Sequence, residues 1–420
     1  MDYSIILGLI GGLGLFLYGM KLMSDGLEKA AGAKLRGILE FFTKNRFIGM
    51  LVGIVFCAVI QSSSATTVMV VSFVNSGLMT LYQAAGVIMG ANIGTTITSQ
   101  LVAFNLSEIA PVFLMAGVIM VMFCKKPMVK KIGEVVLGFG VLFMGLSGMS
   151  GSMSSLHDSP LIVNALGSLS NPILAVFMGF VVTAIVQSSS VTVSIVLLMA
   201  QQGLLELGIC FYIILGCNIG ACTSALLAGL SGKKDAKRAS LIHFLFNVFG
   251  TILMVVVLAF ASDWLEGFFM QISGGNIGRA VANAHTIFKI FQVIVLFPLA
   301  GLIVKLTYLL VPGSESDDEK DFELVYIGAK NVFSPATAVV EVTKELERMG
   351  QLAYNNLNRA MNALITLDEE DIEEVYHVEE NINFLNHAIT DYLVKINQST
   401  LPVDDAKSIG GLFHVVNDIE

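Results

Sequence analysis

Two polar clusters with the same sequence, Gln-Ser-Ser-Ser, interrupt apolar stretches of the chain 126 positions apart. The first cluster consists of Gln61, Ser62, Ser63 and Ser64, and the second cluster consists of Gln187, Ser188, Ser189 and Ser190. The same offset relates residues 92–94 to residues 218–220, both Asn-Ile-Gly, and Gly14 to Gly140. The sequence therefore contains an internal duplication, which is typical of transporters built from structural repeats.

The composition changes at residue 313. Hydrophobic residues make up 55% of the chain, and the residues before 313 carry 17 Lys/Arg and 11 Asp/Glu, against 7 and 22 after it. We therefore predict a membrane region (1–312), an acidic linker (313–325) and a soluble helical domain (326–420). The first apolar stretch has no basic flank and is interpreted as a retained helix rather than a signal peptide. The five cysteines suggest neither disulfides nor zinc, and no cofactor or nucleic-acid partner is expected.

The apolar stretches predict the membrane crossings, because a spanning helix needs about 20 apolar residues. Seven candidates are residues 4–23, 81–104, 108–124, 132–150, 206–230, 240–261 and 285–311. Two more stretches, 47–75 and 173–201, carry the clusters at their middle and are each too short for two full spans.

Loop charge decides how the two interrupted stretches are read. Basic residues concentrate at 29–46, 125–131 and 233–238, and all three loops are cytoplasmic only if each interrupted stretch returns to the side it entered. We therefore predict an all-α polytopic membrane protein with two inverted repeats, each with a re-entrant helical hairpin. The repeats cover residues of about 1–125 and 126–261, and an additional helix covers 285–311. We expect it in the cell (inner) membrane, with an external N-terminus and a cytoplasmic C-terminal domain.

The two clusters offer the groups that bind an oxyanion beside a small cation. A helix broken inside the bilayer exposes backbone N–H groups and about half a positive charge at its N-terminal end. Serine hydroxyls can donate to an anion, and glutamine amides can donate or accept. An ionised group at mid-membrane costs at least about 2.5 to 3.5 kcal/mol, and neither cluster contains Lys or Arg. A co-bound cation would offset this cost, which favours cation-coupled transport.

Further polar positions supply cation ligands. Asn92 and Asn218 each follow a cluster glutamine by 31 residues, and their amides either coordinate the cation or brace the hairpin. Thr66 and Thr192 are either cation ligands or helix-packing residues. The candidate cation ligands are Gln61, Ser63, Thr66, Asn92, Thr95, Gln187, Ser189, Thr192 and Asn218. The ligands are expected to differ between the repeats, since Ala221 and Cys222 replace Thr95 and Thr96.

Two His-x-x-Phe patterns begin at His243 and His285, with Asn247 and Lys289 at the fifth positions. We interpret His243, Asn247 and His285 as structural or gating residues.

With these motifs, residues 1–312 resemble a bacterial member of the type II sodium/phosphate cotransporter family, which is marked by duplicated Gln-Ser-Ser-Ser hairpins. Residues 90–95 and 243–247 strengthen the resemblance. It implies that the two clusters hold inorganic phosphate and that the cation is sodium. Lys289 departs from a His-x-x-x-Asn repeat, and residues 221–222 depart from Thr-Thr, which affects the expected sodium stoichiometry.

The tail shows two amphipathic helices with three-and-four spacing. Their apolar positions are Leu346, Met349, Ala353, Leu357, Ala360 and Leu364, followed by Ile382, Leu385, Ile389, Leu393 and Ile396. We predict an antiparallel pair, a break at residues 401–402 and a third helix from about residue 404. This resembles an incomplete PhoU-like domain, which implies a regulatory partner or a metal held by Glu379, Glu380 and Asn383; a solvated acidic face is the alternative.

The sequence thus predicts a sodium-coupled inorganic phosphate symporter working by alternating access. A phosphate exporter of the same fold is an alternative, because the sequence does not show direction, and so is a membrane-tethered phosphate sensor. An intramembrane serine hydrolase would need His243 or His285 beside a cluster serine. The duplicated serine triplets fit ligand coordination better than a single nucleophile.

Overall fold

The computed structural model describes residues 3–41, 45–104, 106–154, 171–230, 232–313, 322–327, 335–397 and 403–419. The regular structure of these residues is helical, without strands, which confirms the all-α prediction. They form 17 α-helices and a short 3₁₀ helix, Leu106–Glu108. The helices are α1 (Tyr3–Phe41), α2 (Arg46–Ile60), α3 (Ser63–Asn75), α4 (Leu81–Gly94), α5 (Thr96–Ala103), α6 (Ala110–Phe123), α7 (Pro127–Ser154), α8 (Pro172–Val186), α9 (Ser189–Gln201), α10 (Leu207–Gly220), α11 (Cys222–Leu230), α12 (Lys234–Ile272), α13 (Ile277–Leu296), α14 (Ala300–Leu310), α15 (Pro335–Thr366), α16 (Glu369–Asn397) and α17 (Val403–Ile419).

The helix boundaries repeat at the offset of 126 residues. The breaks between α2 and α3 and between α8 and α9 fall on the two clusters, as predicted. Each break begins with a glutamine in the left-handed backbone region, Gln61 at φ 60° and Gln187 at φ 57°. The next serine is extended and caps the following helix. The same local sequence therefore produces the same local break twice.

Five helical segments of the described chain are long and apolar enough to cross a membrane: Tyr3–Ala30, Pro127–Ser154, Leu207–Leu230, Lys234–Ile272 and Ile277–Leu296. The stretch expected as one helix over residues 285–311 contains the end of α13 and all of α14. Pro298 lies between them and has no N–H to continue the helical ladder. The 39-residue α12 contains a non-helical residue, Ala261, at the predicted end of the 240–261 span.

Small residues let the helices of each repeat approach closely. A side chain at Gly90 of α4 would overlap the backbone oxygen of Met50 in α2, and one at Gly216 of α10 would overlap that of Val176 in α8. Such contacts are common in membrane helix packing, because glycine lets two backbones approach. The two close helix pairs fix where each cluster lies relative to the Asn-Ile-Gly sequence that ends α4 or α10 in its own repeat.

The tail helices share a core of their own, to which the buried Leu346, Met349 and Leu385 contribute. The predicted third helix is α17; the expected break at residues 401–402 lies outside the described residues. The predicted apolar stripe of α15 is buried only in part, since Leu357 is 62% and Leu364 78% exposed. Its covered part lies near Gly350, where the side chain of Ile419 approaches.

Candidate functional site

The two clusters lie against each other. The Ser64 hydroxyl donates to the backbone oxygen of Gln187 at 3.4 Å. The hydroxyls of Thr95 and Ser190 share a buried hydrogen bond of 3.2 Å. The N-terminal ends of α3 and α9 therefore meet, with the turn between α4 and α5 beside them.

Each cluster combines a capping serine with buried hydroxyls. Ser62 Oγ accepts from the backbone N–H of Ala65 at 3.1 Å, and Ser188 Oγ accepts from that of Val191 at 3.5 Å. The next residues are buried, with Ser63 at 9%, Ser189 at 5% and Ser190 at 4% exposure. Because the first N–H groups of a helix have no intrahelical partner, this region offers backbone and hydroxyl donors together.

The two cluster glutamines differ in their surroundings although their backbones match. Gln61 is buried; its Nε2 donates to the Ala58 oxygen at 2.5 Å, and its Oε1 accepts from Thr98 Oγ1 at 2.8 Å. Gln187 is exposed. The repeats are thus equivalent in local structure and unequal in environment.

The threonines one turn beyond the clusters bond to their own helices. Thr66 Oγ1 donates to the Ser62 oxygen at 2.8 Å, and Thr192 Oγ1 donates to the Ser188 oxygen at 3.3 Å. Hydroxyls commonly bond back to the helix in this way. These contacts support the helix-packing alternative, although a bonded hydroxyl oxygen keeps lone pairs for a cation.

The two asparagines also differ. Asn92 Nδ2 donates to the Ile88 oxygen at 2.9 Å, while its Oδ1 accepts from Lys289 Nζ at 2.7 Å. Asn218 is 2% exposed, and its Oδ1 has no hydrogen-bond partner in the described part of the chain. Buried amide oxygens are hard ligands and suit an ammonium group or a sodium ion.

The two histidines lie in the buried interior near these groups. His285 Nδ1 hydrogen-bonds Ser99 Oγ at 3.0 Å. His243 Nδ1 has no partner within the described ranges, and the His243 backbone oxygen accepts from Asn247 Nδ2 at 3.1 Å. The serine-hydrolase alternative needs a histidine bonded to a cluster serine. His285 instead hydrogen-bonds Ser99, which lies outside both clusters.

Three contacting residues were not identified as site residues from the sequence: Thr98, Ser99 and Lys289. Thr98 holds the Gln61 amide, Ser99 holds His285, and Lys289 joins Asn92 to Asn247. A signal for the first two existed in the polar run at 95–100 within an apolar stretch.

A cavity of about 170 Å³ lies next to this region. Its lining includes Gln100, Asn283 and Arg279. Gln100 Nε2 donates to Thr286 Oγ1 at 2.9 Å, which ties α5 to α13 one residue beyond Ser99. The cavity therefore offers polar groups at the end of the helix that carries Thr98 and Ser99.

The expected metal ligands of the tail are Glu379, Glu380 and Asn383. Both glutamates are exposed, and Asn383 is half-buried. In the ranges covered by the structure, no three His, Cys, Asp or Glu side chains are grouped as a metal site would require.

Comparison with known proteins identifies both parts of the chain. The model of the Na+/Pi-cotransporter family matches residues 15–151 and 160–266, and that of the PhoU domain matches residues 346–420. No solved structure shows significant similarity to the chain.

Three curated relatives are similar to the chain over different shares of its length. The "Uncharacterized protein YqeW" of Bacillus subtilis (strain 168) is 31% identical over 301 residues, covering 71% of this chain and 95% of that protein. The "Putative inorganic phosphate export protein YjbB" of Escherichia coli (strain K12) is 22% identical over 405 residues, covering 96% of this chain and 73% of that protein. The "Sodium-dependent phosphate transport protein 2B" of Homo sapiens is 38% identical over 100 residues, covering 23% of this chain and 14% of that protein.

Four of the five helical segments that can cross a membrane overlap the matched residues, and the fifth, Ile277–Leu296, follows them. The family and these apolar helices together make the chain a membrane protein. The PhoU match accounts for its C-terminal helices. With its duplicated clusters in contact and more than half of its length matched, the chain belongs to the Na+/Pi-cotransporter family, whose members are transporters.

Proposed function

We propose that this protein is a sodium-coupled inorganic phosphate symporter that works by alternating access. The observation that carries the proposal is the contact between the two clusters, Ser64 with Gln187, beside which Thr95 of the first repeat bonds Ser190 of the second cluster. Two helix N-termini with their hydroxyls converge there, and such ends favour oxyanions. Phosphate is the oxyanion that the family implies.

In the proposed site the eight cluster residues hold phosphate, with Ser63, Ser189 and Ser190 as buried donors. Sodium is held by oxygen atoms of the same clusters, together with Thr66, Thr192 and Asn218. Thr95, which follows α4, hydrogen-bonds Ser190 of the second cluster. His243, Asn247 and His285 position the surrounding helices. A cation beside the anion lowers the cost of holding phosphate inside the bilayer.

The proposed architecture has two inverted repeats with re-entrant hairpins. Helix lengths support it: α2 and α8 have 15 residues and α3 and α9 have 13, so each spans only about 20 Å of a hydrocarbon core about 30 Å thick. The proposed orientation places the N-terminus outside and the tail in the cytoplasm of a cell (inner) membrane, which keeps the three basic loops inside.

The test is uptake of labelled phosphate by proteoliposomes with and without an inward sodium gradient. We expect uptake that requires sodium and falls about tenfold or more in Ser63→Ala and Ser189→Ala, since each removes a donor to a charged ligand. Ser194→Ala is the matched control, because this buried hydroxyl bonds the Ser190 oxygen of its own helix at 2.7 Å. Equal uptake without sodium would reject the coupling.

A phosphate exporter is the second candidate. The relative named for inorganic phosphate export aligns with 96% of this chain, including the tail, whereas the relative named for sodium-dependent transport aligns with 23%. Cells preloaded with labelled phosphate separate the two. Faster efflux on expression, without sodium-driven uptake, would favour export.

A further inference from the structure

Lys289 is a buried lysine whose amine donates to two amide oxygens. Its side chain lies in α13 at 2% exposure. Its Nζ donates to Asn92 Oδ1 at 2.7 Å and to Asn247 Oδ1 at 2.8 Å. Among the described residues it forms no ion pair with a carboxylate. An unpaired charge inside a membrane protein is costly and is often functional.

Asn218 is the counterpart of Asn92 in the second repeat, but the two amide oxygens differ in whether they have a hydrogen-bond partner. The two asparagines occupy the same position, two residues before the last residue of α4 and of α10. Asn92 Oδ1 is bonded to the lysine ammonium, whereas the buried Asn218 Oδ1 has no hydrogen-bond partner among the described residues. A buried acceptor without a partner destabilises the folded state unless a ligand satisfies it. The C-terminal ends of α4 and α10 also carry partial negative charge, which favours a cation at both places.

We propose that Lys289 is a tethered substitute for one sodium ion, an inference that rests on the sodium-coupled function proposed above. The Lys289 ammonium is the cation bound by the Asn92 oxygen in the first repeat, and a transported sodium ion is the cation bound by the Asn218 oxygen in the second. The lysine stays with the protein through the cycle and so contributes positive charge without being carried across. The protein then needs one transported sodium ion fewer than a variant in which the Asn92 oxygen is free.

The first experiment compares two substitutions related by the repeat. Sodium is titrated against the purified protein without phosphate, and the midpoint of thermal unfolding is followed, because an ion that binds the folded state raises it. We expect Asn218→Ala to weaken the apparent sodium affinity about tenfold or more, since a charged ligand loses one oxygen. Asn92→Ala should lower the midpoint itself but retain the sodium-dependent rise. Equal loss of affinity in both variants, or loss in Asn92→Ala alone, would overturn the proposal.

The second experiment measures the ratio of labelled sodium to labelled phosphate taken up by proteoliposomes. Lys289→Asn removes the ammonium and adds another amide beside Asn92 and Asn247. We expect this variant to carry one more sodium ion per phosphate than the wild type and to show a steeper dependence on sodium. Lys289→Arg keeps the charge and should keep the wild-type ratio.

The outcomes separate this inference from the proposed function. If the wild type takes up phosphate without sodium, the proposed symport is wrong. If the wild type is sodium-coupled but Lys289→Asn keeps the wild-type ratio, only the lysine inference is wrong. A raised KM for phosphate with an unchanged ratio would instead make Lys289 a phosphate ligand. The two experiments share no variant, so a substitution that fails to fold in one leaves the other decisive.

Discussion

The carboxyl group of Glu341 joins the tail to the membrane region, and its removal should loosen that contact. Glu341 is fully buried in α15 and accepts from Ser72 Oγ of α3 at 2.6 Å and from the Tyr392 hydroxyl at 2.8 Å. Glu341→Ala deletes both acceptors. A buried donor left without its partner costs about 1–3 kcal/mol.

The expected loss is smaller than two full penalties. Ser72 can rotate its hydroxyl towards a carbonyl oxygen of its own helix, and the half-buried Tyr392 can reach water. We therefore expect docking to weaken by about 2 kcal/mol, which is about 30-fold in the docking equilibrium. Glu341→Gln keeps an acceptor and adds a donor, so it should lose about half of this.

Hydrogen exchange measured by mass spectrometry tests this prediction. Faster exchange is expected in the last turns of α3 and the first turns of α15. The matched control is Glu347→Ala on the same helix, because Glu347 pairs with Lys344 and its side chain is 60% exposed; exposed pairs contribute about 0.2–1 kcal/mol. Equal exchange in Glu341→Ala and Glu347→Ala would refute the reasoning.

Three further predictions concern local features. Gly216→Ala should destabilise the folded protein by about 1–3 kcal/mol or more in thermal unfolding, because its Cβ would overlap facing backbone; Gly11→Ala, with open space around it, is the control and should not. Gln187→Gly should raise the unfolding midpoint by relieving about 1 kcal/mol of left-handed strain at an exposed side chain, whereas Gln61→Gly also loses buried bonds and should not. Burial and the Glu341 carboxyl raise the pKa of Tyr392 above its ordinary value of 10.0. The hydrogen bond from Tyr392 to Glu341 should therefore stay intact below about pH 10 and weaken as the pH rises further. Hydrogen exchange that changes between about pH 7 and pH 9 after correction for intrinsic rates would contradict this.

The sequence alone determined what depends on local chemistry. Apolar composition fixed the membrane environment, because spanning segments must satisfy their backbone groups internally as helices. The offset of 126 residues predicted matching breaks, and the backbone at Gln61 and Gln187 is nearly the same. Periodicity predicted the tail helices, since helical spacing is a local property.

Only the tertiary structure decided which distant groups meet. Local sequence does not distinguish the buried Gln61 from the exposed Gln187, nor the bonded oxygen of Asn92 from the unpartnered one of Asn218. Those differences come from neighbours far away in the chain, such as Lys289, which lies 197 positions from Asn92. The stripe of α15 shows the same limit: periodicity identifies an apolar face, but packing of the other helices decides how much of that face is covered.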